Sequence, residues 1–514
     1  MQRNVEQFNG REAKTATFYH GSFETFAYLL PVFAHVISAV RCFLVYEAKY
    51  RMRMIFNHLN RFVTIVALCL LVFQSASAQN PSASPQSAQQ IAAKVDEYMN
   101  AAVRVYRFSG SILVARDSQT IMSKGYGMAN YELHVPNTPQ TVFRLGSNTK
   151  SFTATAIMML QERGKFNVND SICKYLSDCP AAWQPITIRN LLTHTSGIPN
   201  YTALPDFGKT MSLPVTHASL INRFKDKPPE FAPGEKYNYS NSGYYLLGVI
   251  IERASGKSYA DFLQENIFAP LGMTQTGYDN SSRVIKNRAA GYVAQGDSFA
   301  NASYIDMTIP FAAGALYSSV EDLLRFDKAL NTEKLLSRKS LDEMFTPLKN
   351  EYGYGWEIRK QLERQLIEHG GSINGFQSSL SRFPADRETV IVLSNNGSLS
   401  TRGIAQDLAA IVFGAPYKIP QERKAIALDA KTLEKYVGQF QPASGSILTV
   451  TLENGKLMRQ VGAQPRVELF AESETEFFLK GTDVQITFVK DAQGRVTGQL
   501  VRRNGRETLV PKIK

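Results

Sequence analysis

The chain has 514 residues, 44% of them hydrophobic and 20% charged. That balance excludes an intrinsically disordered protein, and the length suits two or more domains with a large core. The formal net charge of +12 suits an anionic surface, but no aromatic-interleaved basic stripe or zinc-finger spacing accompanies it, which argues against nucleic-acid binding.

The N-terminal region reads as an export signal. Arg51, Arg53 and Arg61 precede an apolar run over 62–73, and Ala76-Ser77-Ala78 follows as a small-x-small cleavage site. The run is too short to span a bilayer comfortably. A signal peptide is expected at 54–78, with Met52 or Met54 as a natural start and a mature chain from Gln79. Residues 1–53 are a doubtful extension. Their apolar stretch from Phe26 to Tyr46, broken by His35 and Arg41, reads either as an extra membrane helix or, preferably, as upstream translation artefact. The expected location is periplasmic or secreted, with membrane attachment only if residues 1–53 are real. Cys69 lies within the apolar run and implies no lipid anchor. Cys173 and Cys179 are the only cysteines of the mature part. An oxidising compartment would close them into a small disulfide loop, the alternative being two buried thiols.

A polar, Ser/Pro-rich linker over 79–90 leads to an amphipathic helix marked by Ile91, Val95, Met99 and Val103. A hairpin follows, Gly110 to Ala115 and Thr120 to Tyr126, turning at Arg116-Asp117-Ser118. A mostly helical stretch then runs from about Ser147 to Leu330. Strand character returns at Phe376 to Phe383 and Thr389 to Leu393, and a helix over Ile404 to Phe413 closes the region. Strands at both ends with helices between predict an α+β domain over 91–415, an antiparallel sheet flanked by helices with an inserted helical lobe. After a linker at 416–427, short alternating strands predict a C-terminal small β-barrel or meander over 428–514. Asn454-Gly455 and Asn504-Gly505 are its clearest turns.

Acyl transfer by a serine needs a nucleophile, a base, a donor wall and an oxyanion hole. Ser147-Asn148-Thr149-Lys150 offers the first two. Ser147 stands at the start of a helix whose buried face is marked by Phe152, Ala156, Met159 and Leu160, and Lys150 lies on the same face one turn on. Burial would lower the lysine's proton affinity and make it a usable base. Ser147 taken alone is equally a plain helix cap. Ser171-Ile172-Cys173-Lys174 repeats the spacing but has no apolar periodicity after it and reads as loop. Tyr239-Ser240-Asn241 follows Pro233-Gly234 and precedes an apolar helix. Residues two apart in an extended segment point the same way, so Tyr239 and Asn241 can face one cleft. Tyr98 and Tyr278 also begin Tyr-x-Asn, in less suitable places. His369-Gly370-Gly371 is the third element. Its glycines would let substrate backbone approach, His369 would supply a donor, and the Ser372 amide could pair with that of Ser147 as an oxyanion hole. Alone, it is a tight turn.

In this order the three elements resemble the penicillin-recognising serine hydrolases, in their class C β-lactamase branch (peptidase S12). Ile188-Arg189-Asn190-Leu191-Leu192-Thr193-His194-Thr195-Ser196-Gly197, Ala313-Gly314-Ala315-Leu316-Tyr317-Ser318 and Gly353-Tyr354-Gly355-Trp356 add to the likeness, which covers Ile91 to Phe413. The resemblance implies Ser147 as nucleophile, with Lys150 and Tyr239 sharing the base and proton-relay role. Asn241 would bind the acyl side chain or orient Lys150. His369, Gly371 and Ser372 would line the substrate wall. His194 reads as a buried structural histidine. Where the β-lactamases of this branch carry Lys, this chain has His369, and a neutral imidazole attracts a carboxylate weakly. That departure resembles the D-aminopeptidase and esterase-like members, whose C-terminal β domains match the one expected here. The implied reaction runs through an acyl-enzyme on D-amino-acid peptides, esters or β-lactams, with a small molecule or short peptide as substrate and peptidoglycan as a further candidate. The alternative is a penicillin-binding sensor that acylates with little turnover. No partner protein is implied. No metal spacing, Walker loop or dinucleotide loop occurs, and the chemistry needs no cofactor.

Overall fold

The computed structural model describes residues 47, 52, 54 and 86–514, apart from 296–297, 443–446, 463–465, 483 and 504–505 and the side chains of 503 and 506. Contacts divide the chain into Met1–Ser84 and Pro85–Lys514. Of the first unit, Glu47, Met52 and Met54 are helical and exposed. The rest of the expected extension and signal peptide lies outside the described residues, as does the Asn504-Gly505 turn. Among the described residues, no helix is long and apolar enough to cross a membrane.

The second unit opens with helix α1 (Ala88–Tyr106). Ser87 caps it through a box with Gln90, and Ile91, Val95 and Met99 turn one face inward. Strands β1 (Gly110–Arg116) and β2 (Gln119–Tyr126) form the hairpin. Its turn is carried by Asp117 and Ser118, both at positive φ. Helix α2 (Thr149–Glu162) starts the helical lobe, whose centre is α3 (Asn241–Ser255). After the short turn of helix α4 (Phe311–Gly314) come β3 (Glu357–Gln361), β4 (Arg364–Ile373), β5 (Phe376–Phe383), β6 (Glu388–Ser394) and helix α5 (Thr401–Phe413).

These six strands form one antiparallel sheet in the order β3-β4-β5-β6-β1-β2. The central strands β1 and β6 are apolar on both faces, as a doubly covered sheet requires. Leu113, Ile391 and Leu393 point into the core shared with α2 and α3. Ile112, Val114, Val390 and Val392 point into a second core under α1 and α5. The α+β architecture with an inserted helical lobe is therefore as the sequence predicts.

Eight further strands follow: β7 (Gly438–Phe440), β8 (Leu448–Glu453), β9 (Lys456–Val461), β10 (Val467–Ala471), β11 (Glu476–Phe478), β12 (Gln485–Lys490), β13 (Val496–Arg503) and β14 (Arg506–Pro511). They pair in sequence order as an antiparallel meander. A bridge between Phe440 and Lys512 brings the first strand to the last, so the sheet is a nearly closed barrel. Its own core is built on Tyr436, Phe440, Val450, Ile486 and Phe488. Asn454 and Gly455 both take positive φ at the β8–β9 turn, which is why Asn-Gly stands there.

Cys173 and Cys179 form a disulfide with Cα atoms 5.3 Å apart. The loop is small, so loop-closure entropy gives about 2 kcal/mol. The double variant Cys173→Ser/Cys179→Ser should lose about that much, read as a lower denaturant midpoint, with a slope no smaller because the unfolded chain is less constrained. An unchanged midpoint would show the bridge to be neutral.

Candidate active site

The chain enters the site through the short strand Phe143–Arg144 and turns at Gly146, whose φ of +53° suits glycine. Ser147 lies in a single 3₁₀ turn, and α2 begins directly after it. Residues 149–160 are all buried, so the start of α2 is held on every side. Thr149 Oγ1 accepts from the Leu316 amide at 3.1 Å, Ser151 Oγ donates to Gly355 O at 2.8 Å, and Thr153 Oγ1 donates to Ala312 O at 2.7 Å. Ser151 ties α2 to Gly355, and Thr149 and Thr153 tie it to the Ala312–Leu316 segment.

That segment matters because Lys150 points at it. Lys150 Nζ lies 3.1 Å from Ser147 Oγ, 2.8 Å from Asn241 Oδ1 and 2.8 Å from the Ala313 carbonyl oxygen. It also sits 4.8 Å from the ring centroid of Tyr239 and 5.5 Å from that of Tyr244. The lysine is wholly buried, and burial holds its amine well below the ordinary lysine range. The Tyr239 hydroxyl is hydrogen-bonded to Ser147. Burial pushes this phenol's pKa up, against the opposing effect of the serine bond. Asn241 is the first residue of α3, with Ser240 extended before it at φ −132° and ψ 118°. Its Nδ2 donates to Thr202 Oγ1 at 3.1 Å, so both ends of its amide are engaged by the protein.

Strand β4 supplies the opposite wall. A Cβ placed on Gly371 would fall 1.9 Å from Leu145 O and 2.9 Å from Ser147 N, and one on Gly146 would fall 2.8 Å from Ser372 N. The amides of Ser147 and Ser372 are thereby brought together. Here the structure differs from the sequence expectation: Gly371 makes room for the protein's own backbone at Leu145 and Ser147. Ser372 keeps an exposed side chain that accepts from Gln377 Nε2 at 2.9 Å.

His369 also departs from expectation. Its Nδ1 lies 2.6 Å from Gly370 O and its Nε2 3.0 Å from the Tyr352 hydroxyl. A carbonyl only accepts, so Nδ1 carries the proton and Nε2 accepts from Tyr352. Burial, then the nearby Lys150, lower the His369 pKa to about 3. The imidazole is neutral and both nitrogens are used internally, so it has no N–H left for a substrate. His194, set aside in the sequence reading, is indeed buried, but it touches the site. Its ring lies 4.2 Å from that of Tyr239, and its Nδ1 accepts from the Ser240 amide at 3.1 Å.

The second Ser-x-x-Lys copy plays no part. Ser171 caps a short turn by accepting from Cys173 N, and Lys174 pairs with Asp170 at 2.5 Å. The Ala313 carbonyl was not predicted. Its signal was the Ala313-Gly314-Ala315 run, but a backbone acceptor has no residue identity to read.

Fold and site together define a serine hydrolase of the β-lactamase type. A family model described as Beta-lactamase matches residues 91–412, and the chain belongs to that family. A second model, described as a domain of unknown function (DUF3471), matches 422–507. A penicillin-binding protein of Bacillus subtilis (strain 168) is 32% identical over 409 residues, covering 74% of this chain and 90% of that protein. The octameric penicillin-binding protein homologue of Pyrococcus abyssi superposes with a TM-score of 0.59 at 27% identity, over 81% of this chain and 99% of that one. The D-amino acid amidase of Ochrobactrum anthropi SV3, solved with D-phenylalanine, superposes at 0.54 with 25% identity, over 62% of this chain and 99% of that one.

Proposed function

We propose that the protein is an exported hydrolase that forms a covalent acyl-enzyme on Ser147 with amide or ester substrates. The observation that carries this reading is the environment of Lys150. A neutral amine has two N–H bonds and one lone pair. Asn241 Oδ1 and the Ala313 carbonyl take the two N–H bonds, which leaves the lone pair for the Ser147 hydroxyl. Lys150 is thus the base, since its shift favours the neutral amine, whereas burial keeps Tyr239 a protonated phenol. Tyr239 relays the proton.

In acylation, Ser147 Oγ gives its proton to Lys150 and bonds to the substrate carbonyl carbon. The resulting oxyanion is held by the Ser147 and Ser372 amides. Collapse breaks the bond to the amine or alcohol, which leaves with the proton returned through Lys150 and Tyr239. Water then repeats the sequence and frees the acid and Ser147. Because His369 is neutral and internally bonded, the wall beside Ser372 has no lysine-like charge for the carboxylate of a β-lactam. That favours D-amino-acid amides, short D-peptides such as those of peptidoglycan, and esters. Export rests on the basic, apolar, Ala76-Ser77-Ala78 succession.

Ser147→Ala should abolish both hydrolysis and covalent labelling by a fluorescent phosphonate while the far-ultraviolet dichroism stays unchanged. Profiling wild-type protein on D-alanyl amides, nitrophenyl esters and penicillins orders the substrate classes. Turnover retained in Ser147→Ala would overturn the mechanism. Labelling without product release on every panel would favour the sensor reading instead.

A further inference from the structure

A polar recess lies beside the turn that follows Ser372. Ser372 stands next to Gly146, and two residues further along the chain Asn374 reaches the wall of a cavity of about 370 Å³, lined also by Arg144, Arg288, Ser303, Tyr304 and Phe376. Two residues span at most about 7 Å, so the wall of the recess begins close to the Ser372 amide.

Two guanidiniums on this cavity share one buried carboxylate. Asp279 is fully buried and accepts from Arg144 Nε at 2.7 Å on one oxygen and from Arg288 Nη1 at 3.1 Å on the other. One carboxylate serves two guanidiniums, and Arg288 reaches it through Nη1. Arg288 is 37% exposed and shares an exposed stretch with Arg283 and Lys286. A further acid, Asp306, is held by its own turn. It accepts from the Thr308 amide at 3.0 Å and from Thr308 Oγ1 at 2.6 Å, and the Tyr304 hydroxyl lies 3.3 Å away. Asn374 Nδ2 donates to Ser303 O at 2.8 Å and so joins the two sides of the recess. Guanidinium forks favour carboxylates, which they bind through paired N–H donors.

We propose that this recess is an anion subsite: Arg288, backed by Arg144, binds a carboxylate that the substrate carries away from the bond to be broken. The subsite deepens the acyl-transfer reading above and rests on it. It moves the positive charge that His369 lacks to a place where the remote end of the substrate can meet it. The preferred substrates are then acidic acyl donors, such as short peptides or esters with a free terminal or side-chain carboxylate.

4-Nitrophenyl hydrogen glutarate and 4-nitrophenyl pentanoate share chain length and leaving group and differ in the terminal carboxylate. Wild-type protein should prefer the glutarate in kcat/KM by about tenfold, the size of a charge-assisted hydrogen bond. Arg288→Gln leaves Asp279 paired with Arg144 and should bring the ratio near one, and Arg288→Lys should restore part of it. Calorimetry of glutarate with Ser147→Ala protein reads the subsite without turnover: binding is expected, and its loss in the Ser147→Ala/Arg288→Gln double variant. A ratio near one in wild type, a preference surviving in Arg288→Gln, or no glutarate binding would each overturn the subsite. The hydrolase reading is judged apart from it, by whether pentanoate hydrolysis survives Ser147→Ala.

Discussion

Gly371→Ala is expected to lower kcat/KM by about a hundredfold to a thousandfold. The added methyl would sit 1.9 Å from Leu145 O, 2.5 Å from Ser378 Oγ and 2.9 Å from Ser147 N. Two of these atoms are backbone and cannot swing aside. The third is pinned, because Ser378 Oγ donates to Leu145 O at 2.6 Å and accepts from Asn148 Nδ2 at 2.7 Å. Strand β4 must therefore move away from the nucleophile by an ångström or so, which takes the Ser372 amide out of line with that of Ser147. Misplacing or losing one oxyanion donor costs about two to three powers of ten in rate. The neighbouring residue supplies the control. A Cβ on Gly370 meets nothing nearer than the Arg402 side chain at 3.5 Å, so Gly370→Ala should cost less than about fivefold. Equal effects of the two substitutions would refute this account of the wall.

Lys150→Met should lower kcat/KM by about two to four powers of ten, the range for loss of a positioned general base. Its pH profile carries the sharper information. The Lys150 amine titrates well below the ordinary lysine value because it is buried. The active, neutral form therefore appears as pH rises through that lowered value, and the rate of the wild-type protein should climb along an acid limb lying well below pH 10.5. Burial lowers the His369 pKa to about 3, so a limb above that pH does not belong to it. In Lys150→Met the limb should vanish from the residual rate. An unchanged limb would assign it to another group and remove Lys150 as the base.

Much of this site could be read in the sequence because its parts are local. The Ser147–Lys150 spacing is a helix turn, and Tyr239 and Asn241 flank one extended residue, so each pair faces its cleft by backbone geometry alone. The first helix was equally plain from its four-residue apolar period at Ile91, Val95, Met99 and Val103, although its first turn and its Ser87–Gln90 cap fell in the stretch expected to be linker. What escaped was long-range. The Ala313 carbonyl that fixes the lysine lies 163 residues from it. The Tyr352 hydroxyl that occupies His369 becomes a partner only when β3 and β4 pair. His194 looked structural because its signals were burial and a family-like stretch, and neither says which ring it stacks on. Local reading offered barrel or meander without deciding between them, since Phe440 and Lys512 meet across the whole C-terminal domain.

The central pairing of the sheet has a consequence for how the chain reaches this state. Strand β1 lies between β2, its hairpin partner, and β6, whose Ser394 Oγ donates to Ser109 O across 285 residues of sequence. Until β6 exists, β1 presents an unpaired apolar edge, the kind of surface that recruits other strands. A chain growing from its N-terminus must carry that edge through synthesis of the entire helical lobe. Closing so long a loop is slow, and contacts of such separation dominate folding times. Assembly of the catalytic wall is thus gated by the last third of the domain: a nascent chain stopped before residue 388 holds its nucleophile and its lysine but has no completed sheet on which to place them.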